Sequence, residues 1–332
     1  MRIAIVGAGS IGCYVGGRLQ AFGHDVSYIG RGQVGQAISA HGLTVSDSRG
    51  WTEILPGNEC VFTTDIGATR SAEVVLVTVK SAATSEIALS LAPHLASEAV
   101  VVSLQNGVRN TDELAKHLRH NTVASGMVGF NVAQVAPAHF HQATQGRIAV
   151  SAQAGPIAKA LSDSGLPTDT HEDMRPVQWG KLLLNLNNAV NGLSGLPLKE
   201  ELAQRDFRRV LAAAQKEALR LLRAAGQTVT SPIPAPIAIL PWVLGAPDAV
   251  FTRLASQLLA VDPAARSSML DDITAGKPTE IDYINGEIVD LAARLGRNAP
   301  VNAPLVRLIH EIEHTGQRQW SGKQLLAAID RK

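Results

Sequence analysis

The chain has 332 residues, of which 45% are hydrophobic, so each of two domains of ordinary size can bury a core. Its 30 lysines and arginines nearly balance its 29 aspartates and glutamates, and this argues against a nucleic-acid partner or a membrane-surface partner. The sequence has only two cysteines and no apolar stretch of membrane-spanning length, so we expect a reduced, cytoplasmic protein that does not enter a membrane.

From residue 2 to about 150, short β-branched runs alternate with helical ones, which is typical of a doubly wound α/β domain. The predicted strands are Arg2–Val6, Asp25–Ile29, Val74–Val79, Ala99–Leu104, Asn121–Val132 and Gly146–Ala152. The predicted helices between them are Ser10–Phe22 and Glu86–Leu95.

Between Ser164 and Pro176 the composition turns polar and loop-like, and we place the boundary between two domains there, as 1–170 and 171–332. Almost everything beyond it is predicted to be helical. The predicted helices are Pro176–Ser194, Glu200–Ala225, Ala249–Ala260, Ser267–Thr274, Glu280–Leu295, Ala303–His314 and a short one near Gly322–Ile329. The segment 231–242 carries four prolines and is predicted to be a broken connection.

The first strand runs directly into a glycine loop that opens the first helix, the context that a dinucleotide fingerprint requires. Gly7 permits the tight turn, Gly9 lets the backbone approach a pyrophosphate, and Gly12 allows close helix–strand packing. A tight turn without a ligand is the alternative. The candidate cofactor-binding residues of this loop are Gly7, Ala8, Gly9, Ser10, Ile11 and Gly12.

The second strand indicates which nucleotide binds. An NAD enzyme usually ends this strand with an acid for the ribose hydroxyl, but Asp25 lies at its other end. Arg31 follows the carboxyl end instead, and a guanidinium suits a 2′-phosphate, so the sequence favours NADP over NAD. A solvated loop arginine is the alternative. Lys80 and Asn106 each follow a central strand at the edge where ligands bind, although Asn106-Gly107 also fits a simple turn.

One predicted helix carries an unusual polar stripe. Lys181, Asn185 and Asn188 share a face on the helical period, and Asn191 is rotated from it by about 80°. An amphipathic helix with a solvated stripe is the alternative, but such stripes usually mix Glu, Lys, Gln and Arg. This one offers amides and a single cation, a set of groups that suits a small polar anion with carbonyl and hydroxyl oxygens.

Four segments, in this order along the chain, resemble the ketopantoate reductase (2-dehydropantoate 2-reductase) family: "RIAIVGAGSIG", "LQNGV", "WGKLLLNLNNAVNGLSG" and "ARSSMLDDITAGKPTEIDYINGEIV". The resemblance covers essentially the whole chain. It implies a Rossmann domain followed by a helical domain of the 6-phosphogluconate dehydrogenase type. It also implies that NADP(H) is the cofactor and that the reaction reduces 2-dehydropantoate to (R)-pantoate, a step towards pantothenate and coenzyme A.

The resemblance also implies roles for individual residues. Lys181 matches the catalytic lysine, and Glu280 matches the glutamate near that lysine and the nicotinamide. Asn185 matches the first substrate asparagine, and Ser268 matches the serine that holds the substrate carboxylate. The matching cofactor residues are the three glycines of the loop, Arg31, Lys80 and Asn106.

The stripe departs from the family pattern at the second substrate asparagine, where this chain has Ala189. Helical spacing favours Asn188 as its replacement, and the family pattern favours Asn191. We favour Asn191, because the helix can unwind before Gly192. A related 2-keto acid stays open as the substrate. A rival of another class is an NADP(H) sensor without turnover. Glu280 also has an alternative role: Thr279 can cap a helix, and an acid at its first position then only complements the helix dipole.

The segment "HEIEH", His310–His314, matches a zinc-protease pattern. A catalytic zinc needs a third protein ligand, and Asp330 is the sole acid that follows, so no metal site is expected. The expected partners are a small 2-keto acid and a second copy of the chain in a homodimer.

Overall fold

A computed structural model describes residues 1–233, 235–254, 265–316 and 319–330. The chain divides into two compact units, Met1–Met174 and Arg175–Lys332. The division falls slightly later than the predicted boundary because the polar stretch before it contains an additional strand.

The first unit is an α/β unit built around a large sheet and a smaller one. Its strands are β1 (Arg2–Val6), β2 (Asp25–Ile29), β3 (Leu43–Asp47), β4 (Thr52–Leu55), β5 (Val61–Thr63), β6 (Val74–Val77), β7 (Val100–Ser103), β8 (Thr122–Val128), β9 (Val132–Ala136), β10 (His139–Gln142), β11 (Ile148–Ser151) and β12 (Thr168–His171). Its helices are α1 (Ser10–Ala21), α2 (Gly32–His41), α3 (Thr84–Leu91), α4 (Asn110–His117) and α5 (Pro156–Asp163), with short 3₁₀ turns at Ile66–Ser71, Ser81–Ala83 and Ala152–Ala154.

The large sheet has the order β12-β11-β8-β7-β6-β1-β2-β5. Its strands are parallel from β5 across to β8, while β11 runs antiparallel to β8. The predicted doubly wound α/β fold is therefore confirmed. The central strands β6 and β7 are almost wholly buried, as their apolar runs predict, because both faces of a parallel sheet are covered.

Two strand predictions for this unit were incomplete. The smaller sheet, in the order β4-β3-β10-β9, was not predicted, because its strands are short and β4 and β9 are largely exposed. The stretch 164–176, predicted as a loop, contains β12, which pairs with β11 at the edge of the large sheet. An edge strand has one unpaired side and needs no apolar run. The polar sequence of β12 therefore gave no sign of a strand.

Helix α1 joins the two sheets through buried polar contacts. The Arg18 guanidinium lies 3.6 Å from the ring centre of Trp51 and donates hydrogen bonds to the carbonyl of Ser164 (3.0 Å) and to Asp47 of β3 (3.4 Å). The Tyr14 hydroxyl on the same helix donates to Gln142 of β10 at 2.8 Å. These bonds fix the helix whose first turn carries the glycine loop.

The described part of the second unit is helical, as predicted. Its helices are α6 (Arg175–Asn185), α7 (Asn187–Ser194), α8 (Leu198–Ala203), α9 (Arg205–Ala224), α10 (Leu240–Gly245), α11 (Asp248–Leu254), α12 (Ser268–Thr274), α13 (Asn285–Arg294), α14 (Asn302–Thr315) and α15 (Gly322–Ile329), with 3₁₀ turns at Ile237–Ile239 and Ile281–Tyr283. The predicted helix 249–260 is described only as far as Leu254, and the rest of it lies outside the described residues. Among the described residues, none of the helices is both long enough and apolar enough to cross a bilayer.

Four predictions for this unit needed correction. The helix predicted as Glu200–Ala225 breaks at Gln204, between α8 and α9. The proline-rich segment 231–242 contains the start of α10, because Pro241 lies in its first turn, where a proline is tolerated. The helix predicted from residue 176 to 194 breaks at Leu186, between α6 and α7. The helix predicted from Glu280 begins only at Asn285, after the 3₁₀ turn at Ile281–Tyr283.

Buried charges hold the second unit together. Arg208 of α9 is fully buried and donates to the carbonyl oxygens of Leu202 (2.8 Å) and Leu244 (3.2 Å), near the ends of α8 and α10. The carboxylate of Glu217 accepts hydrogen bonds from the backbone N–H groups of Val301 (2.8 Å) and Asn302 (2.9 Å). That carboxylate satisfies backbone N–H groups at the N-terminus of α14.

Candidate active site

The glycine loop joins β1 to α1 in the conformation that its sequence predicts. Gly7 has a φ of +104°, and a Cβ there would lie 2.5 Å from the backbone nitrogen of Val79. Its N–H donates to the carbonyl of Ile29 (2.9 Å), while its own carbonyl accepts from the Thr78 hydroxyl (2.7 Å). Only glycine fits here, and the loop is held by the strands on both sides of β1.

The N-terminus of α1 offers a cradle for an anion. The Cys13 N–H donates to the carbonyl of Gly9 at 2.8 Å, and the earlier N–H groups of Ser10, Ile11 and Gly12 lie at the end of the helix, where no preceding turn can accept from them. Gly9 is exposed, and a Cβ built on it meets nothing closer than 3.9 Å. Open space in front of a helix N-terminus fits a pyrophosphate.

Arg31 lies where a nucleotide's ribose phosphate is expected in such a fold. It is exposed and follows Gly30 at the carboxyl end of β2, at the N-cap position of α2. Gly30 donates to the carbonyl of Thr63 (3.1 Å), and a Cβ on Gly30 would lie 2.8 Å from the Cβ of Ala8. The segment 29–32 thus packs against the glycine loop and contains a cation but no carboxylate.

The loops that carry Lys80 and Asn106 are tied to each other. The amide of Gln105 donates to the carbonyl of Val79 (3.0 Å) and to the Thr84 hydroxyl (2.7 Å). Asn110 donates to the hydroxyl of Ser81 (3.1 Å) and to the carbonyl of Asn106. The structure therefore brings together the loops that follow β6 and β7, with Lys80 exposed and Asn106 half-buried.

This buried polar network was not foreseen from the sequence. Its members are Ser81, Thr84, Gln105 and Asn110, each of which is nearly inaccessible to solvent. The available signal was a concentration of small polar side chains directly after two neighbouring strands. Such a network fixes loop backbones that would otherwise be mobile.

The stripe on α6 and α7 survives the break at Leu186. The Leu186 N–H still donates to the carbonyl of Leu182 at 3.0 Å, so the chain keeps its helical direction. Lys181, Asn185 and Asn188 are all half-buried, whereas most of their apolar neighbours are buried. The structure thus places these three side chains on one partly accessible face, as the spacing predicts.

Lys181 has an unusual electrostatic environment. Within the described part of the chain, its ammonium makes neither a hydrogen bond nor an ion pair. Burial lowers the pKa of Lys181 to about 8, because the charged form is poorly solvated there. A lysine kept without a counter-ion, and with a pKa near physiological pH, is typical of a group that exchanges a proton with a ligand.

Asn191 is engaged in a different way. Its side chain is fully buried and donates to the carbonyl of Leu196 (2.9 Å) and to Oε2 of Glu201 (2.7 Å). Its own oxygen accepts from the N–H of Ser267 at 3.0 Å. Both N–H groups and the oxygen of its amide therefore have partners inside the protein, and the fully buried side chain is not accessible to a ligand.

Sequence reasoning missed Glu201, the partner of Asn191. This carboxyl is fully buried, and burial raises its pKa to about 8 despite hydrogen bonds from Asn191 and Asn187. Nothing in the local sequence marks it, since its neighbour Glu200 is an ordinary exposed acid.

The serines at the start of α12 have separate roles. Ser267 is the N-cap, and its hydroxyl accepts from the Leu270 N–H at 3.2 Å. Ser268 is the first helical residue and is exposed. Because Asn191 binds the Ser267 backbone, α7 fixes the point at which Ser268 is presented.

Glu280 lies in a turn before α13 and not in that helix. It is half-buried and precedes the 3₁₀ turn at Ile281–Tyr283, in which the Thr279 hydroxyl accepts from the Ile281 N–H (3.3 Å). The alternative role, in which Glu280 complements the dipole of a long helix capped by Thr279, is thereby weakened. The structure does not join Glu280 and Lys181 in an ion pair.

The "HEIEH" segment lies on α14. The ring of His310 is hydrogen-bonded on both sides, to Glu313 through Nδ1 and to Asp282 through Nε2, each at 2.9 Å. Nδ1 of His314 is 2.7 Å from the carbonyl of His310. The first histidine of the pattern is therefore committed to carboxylates.

The fold and these side chains define a class of protein, the two-domain oxidoreductases that use a pyridine nucleotide. Residues 3–155 match the family described as "Ketopantoate reductase PanE/ApbA", and residues 173–313 match "Ketopantoate reductase PanE/ApbA C terminal". The chain belongs to the ketopantoate reductase family.

Individual relatives agree with this assignment. A 2-dehydropantoate 2-reductase of Archaeoglobus fulgidus is 28% identical, over 94% of this chain and 98% of the relative. The crystal structure of a PanE/ApbA family ketopantoate reductase from Ralstonia eutropha is 32% identical, with a TM-score of 0.80, over 94% of this chain and 98% of that one. D-Mandelate dehydrogenase with NADH shares the fold at 20% identity and a TM-score of 0.77, over 94% of this chain and 98% of that one.

Proposed function

We propose that the protein reduces 2-dehydropantoate to (R)-pantoate with NADPH, in the cytoplasm, as a step in the synthesis of pantothenate and coenzyme A. The observation that carries this proposal is Lys181, a half-buried ammonium that makes no ion pair with any described residue and shares a helix face with Asn185 and Asn188. Family membership supplies the substrate class. A non-catalytic sensor has no use for such a lysine, so we favour an enzyme.

The first unit has the features that NADPH requires. The open N-terminus of α1 would hold the pyrophosphate and Arg31 the 2′-phosphate. Lys80 and Asn106, on their tied loops, would hold the rest of the nucleotide. When bound, the reduced nicotinamide supplies the hydride that the keto carbon accepts.

The second unit would supply the proton. As the keto carbon accepts a hydride, its oxygen becomes an alkoxide and needs a proton. The Lys181 ammonium first polarises the carbonyl and then donates that proton. Because burial lowers the pKa of Lys181 to about 8, the ammonium is present at neutral pH and yet gives up its proton more readily than an exposed lysine.

Neighbouring groups would hold the substrate in place. Asn185 and Asn188 would bind its hydroxyl and carbonyl oxygens, and the exposed hydroxyl of Ser268 would bind its carboxylate. Asn188 is the better candidate for the second asparagine, because within the described residues its amide makes no hydrogen bond, whereas Asn191 is fully buried and bonded inside the protein. Glu280 would orient Lys181.

A different 2-keto acid is the second candidate substrate. Ala189 stands where the family pattern has an asparagine, and Asn188 lies one position away on the helix. The Asn188 amide therefore points in a different direction from the family's asparagine. A pocket changed in this way can select another side chain on the keto acid.

The decisive experiment measures NADPH oxidation with a panel of 2-keto acids that includes 2-dehydropantoate. We expect kcat/KM to be highest for 2-dehydropantoate. A higher value for another keto acid would support the second candidate. Failure to oxidise NADPH with any of them, despite tight NADPH binding, would favour the sensor.

The oligomeric state is a separate part of the proposal. A Staphylococcus aureus ketopantoate reductase that is 17% identical, with a TM-score of 0.68, is described as dimeric. We propose a homodimer for this chain as well. Sedimentation velocity tests it, and a monomer at micromolar concentration would contradict it.

A further inference from the structure

His310 lies at the centre of a small ionic cluster with Glu313 and Asp282, next to the turn that carries Glu280. Its Nδ1 faces Oε2 of Glu313 at 2.9 Å, and its Nε2 faces Oδ1 of Asp282, also at 2.9 Å. The other oxygen of Glu313 accepts from the backbone N–H of Thr279 at 2.7 Å. The cluster therefore holds the chain at Thr279 and again at Asp282.

These two attachment points lie on either side of Glu280. Thr279 is the residue before it, and Asp282 belongs to the 3₁₀ turn at Ile281–Tyr283 that Glu280 begins. Glu313, which binds Thr279, and His310, which binds Asp282, both lie on α14. The N-terminus of α14 is itself fixed by the buried carboxylate of Glu217. A rigid helix thus supports the short segment that presents Glu280.

We propose that His310 and Glu313 are positioning residues for Glu280, and that they hold it in place only while His310 carries a proton on both ring nitrogens. This inference rests on the proposed function, because it concerns a residue that we place in the reaction.

The requirement for two protons follows from the partners. Ionised carboxylates only accept hydrogen bonds, so an imidazole that faces one on each side must donate from both nitrogens. A neutral ring would turn a lone pair towards one carboxylate. If Asp282 loses its bond, the segment around Glu280 is held at Thr279 alone. If Glu313 loses its bond, the carboxylate that holds Thr279 is no longer supported by His310.

The surrounding charges agree with this protonation state. Partial burial lowers the pKa of His310, but the hydrogen bonds to Glu313 and Asp282 outweigh it, so its pKa lies above the ordinary histidine value. Among the described residues, Glu313 on the same helix and Asp282 on the turn are the charged groups that act on His310. We therefore expect the cluster to stay intact to a higher pH than an ordinary histidine would allow and to weaken as the pH rises further.

The first test compares two histidines on α14. His310→Ala should lower kcat by about 10- to 100-fold, the effect of a slightly displaced catalytic group, while leaving NADPH binding unchanged. His314→Ala is the matched control, because His314 is exposed and its ring nitrogen meets only the carbonyl of His310 on its own helix. The control should keep the wild-type kcat and melting temperature.

The second test changes the proton requirement and keeps the contacts. In Glu313→Gln, the amide oxygen still accepts from Thr279, and the amide N–H donates to Nδ1 of a neutral His310. Nε2 then still donates to Asp282. This variant should stay active at neutral pH and should lose the part of the alkaline decline in kcat that His310 causes. The pKa of His310, measured by ¹⁵N NMR of the imidazole, should be lower in the variant than in the wild type.

The outcomes separate this inference from the proposed function. If Glu280→Gln reduces the best 2-keto acid at the wild-type rate, the role of Glu280 fails and this inference fails with it. If Glu280→Gln is slow but His310→Ala is not, only this inference is overturned. An unchanged pH profile together with an unchanged His310 titration in Glu313→Gln would also overturn it.

Discussion

The amide of Asn191 donates a 2.7 Å hydrogen bond to the carboxyl of Glu201, inside the helical unit, where neither side chain is exposed to solvent. The other carboxyl oxygen, Oε1, is buried and has no hydrogen-bond partner among the described residues. A carboxyl in such a place is more stable when it is neutral, which is why its pKa is raised to about 8.

Glu201 should make the stability of the protein depend on pH. Its pKa in the folded state is raised above the unfolded value, so its contribution is present at low pH and is lost as the pH rises towards 8. We expect the free energy of unfolding to fall between pH 5 and pH 8 by roughly 3–4 kcal/mol, at about 1.4 kcal/mol per pH unit over most of that range. Glu201→Gln should remove this dependence, and Glu200→Gln, at the exposed neighbour, should not. Thermal unfolding at several pH values measures both, and equal slopes for wild type and Glu201→Gln would contradict the prediction.

Lys181→Ala should lower kcat by about 10²- to 10⁴-fold, the usual contribution of a positioned general acid. The fold and the affinity for NADPH should change little, since the residues that we propose to bind the nucleotide lie in the first unit. Wild-type activity should decline above about pH 8, where the ammonium loses its proton. Steady-state kinetics across pH test this, with the exposed Lys323→Ala as control. A variant that keeps both the wild-type kcat and the alkaline decline would shift the role to Lys80.

Arg31→Ala should weaken the binding of NADPH and leave the binding of NADH nearly unchanged. Losing a charge-assisted bond to a phosphate costs about 1.5–3 kcal/mol. Fluorescence titration of both nucleotides measures the difference, and Arg119→Ala, which removes another exposed arginine of the first unit, is the control. Equal affinities of the wild-type protein for NADPH and NADH would exclude Arg31 as a phosphate ligand.

Asn188→Ala and Asn191→Ala should have different effects. Asn188→Ala should raise the KM for the keto acid without changing the melting temperature, because its amide is half-buried and makes no hydrogen bond among the described residues. Asn191→Ala should lower the free energy of unfolding by about 1–3 kcal/mol, because it leaves Glu201 and the N–H of Ser267 buried without this partner. Kinetics and thermal unfolding of both variants decide this, and the reverse pattern would restore Asn191 as the substrate ligand.

The local sequence was sufficient for the parts of the protein that depend on periodicity. The run Arg2–Val6 followed by glycines predicted β1, the loop and the start of α1, because a strand, a tight turn and a helix N-terminus are each set by neighbouring residues. The spacing of Lys181, Asn185 and Asn188 likewise placed these side chains on one face, since the helical period alone determines it.

The tertiary structure decided what depends on distant partners. Asn188 and Asn191 are both asparagines on one helical stretch, and only the contacts of Asn191 with Glu201 and Ser267, 76 residues away, make one of them structural. The burial of Glu201 and the attachment of the Glu280 turn to His310 are of the same kind. A side chain's burial and its bonding partners are properties of the packed chain, and no short stretch of sequence contains the residues that provide them.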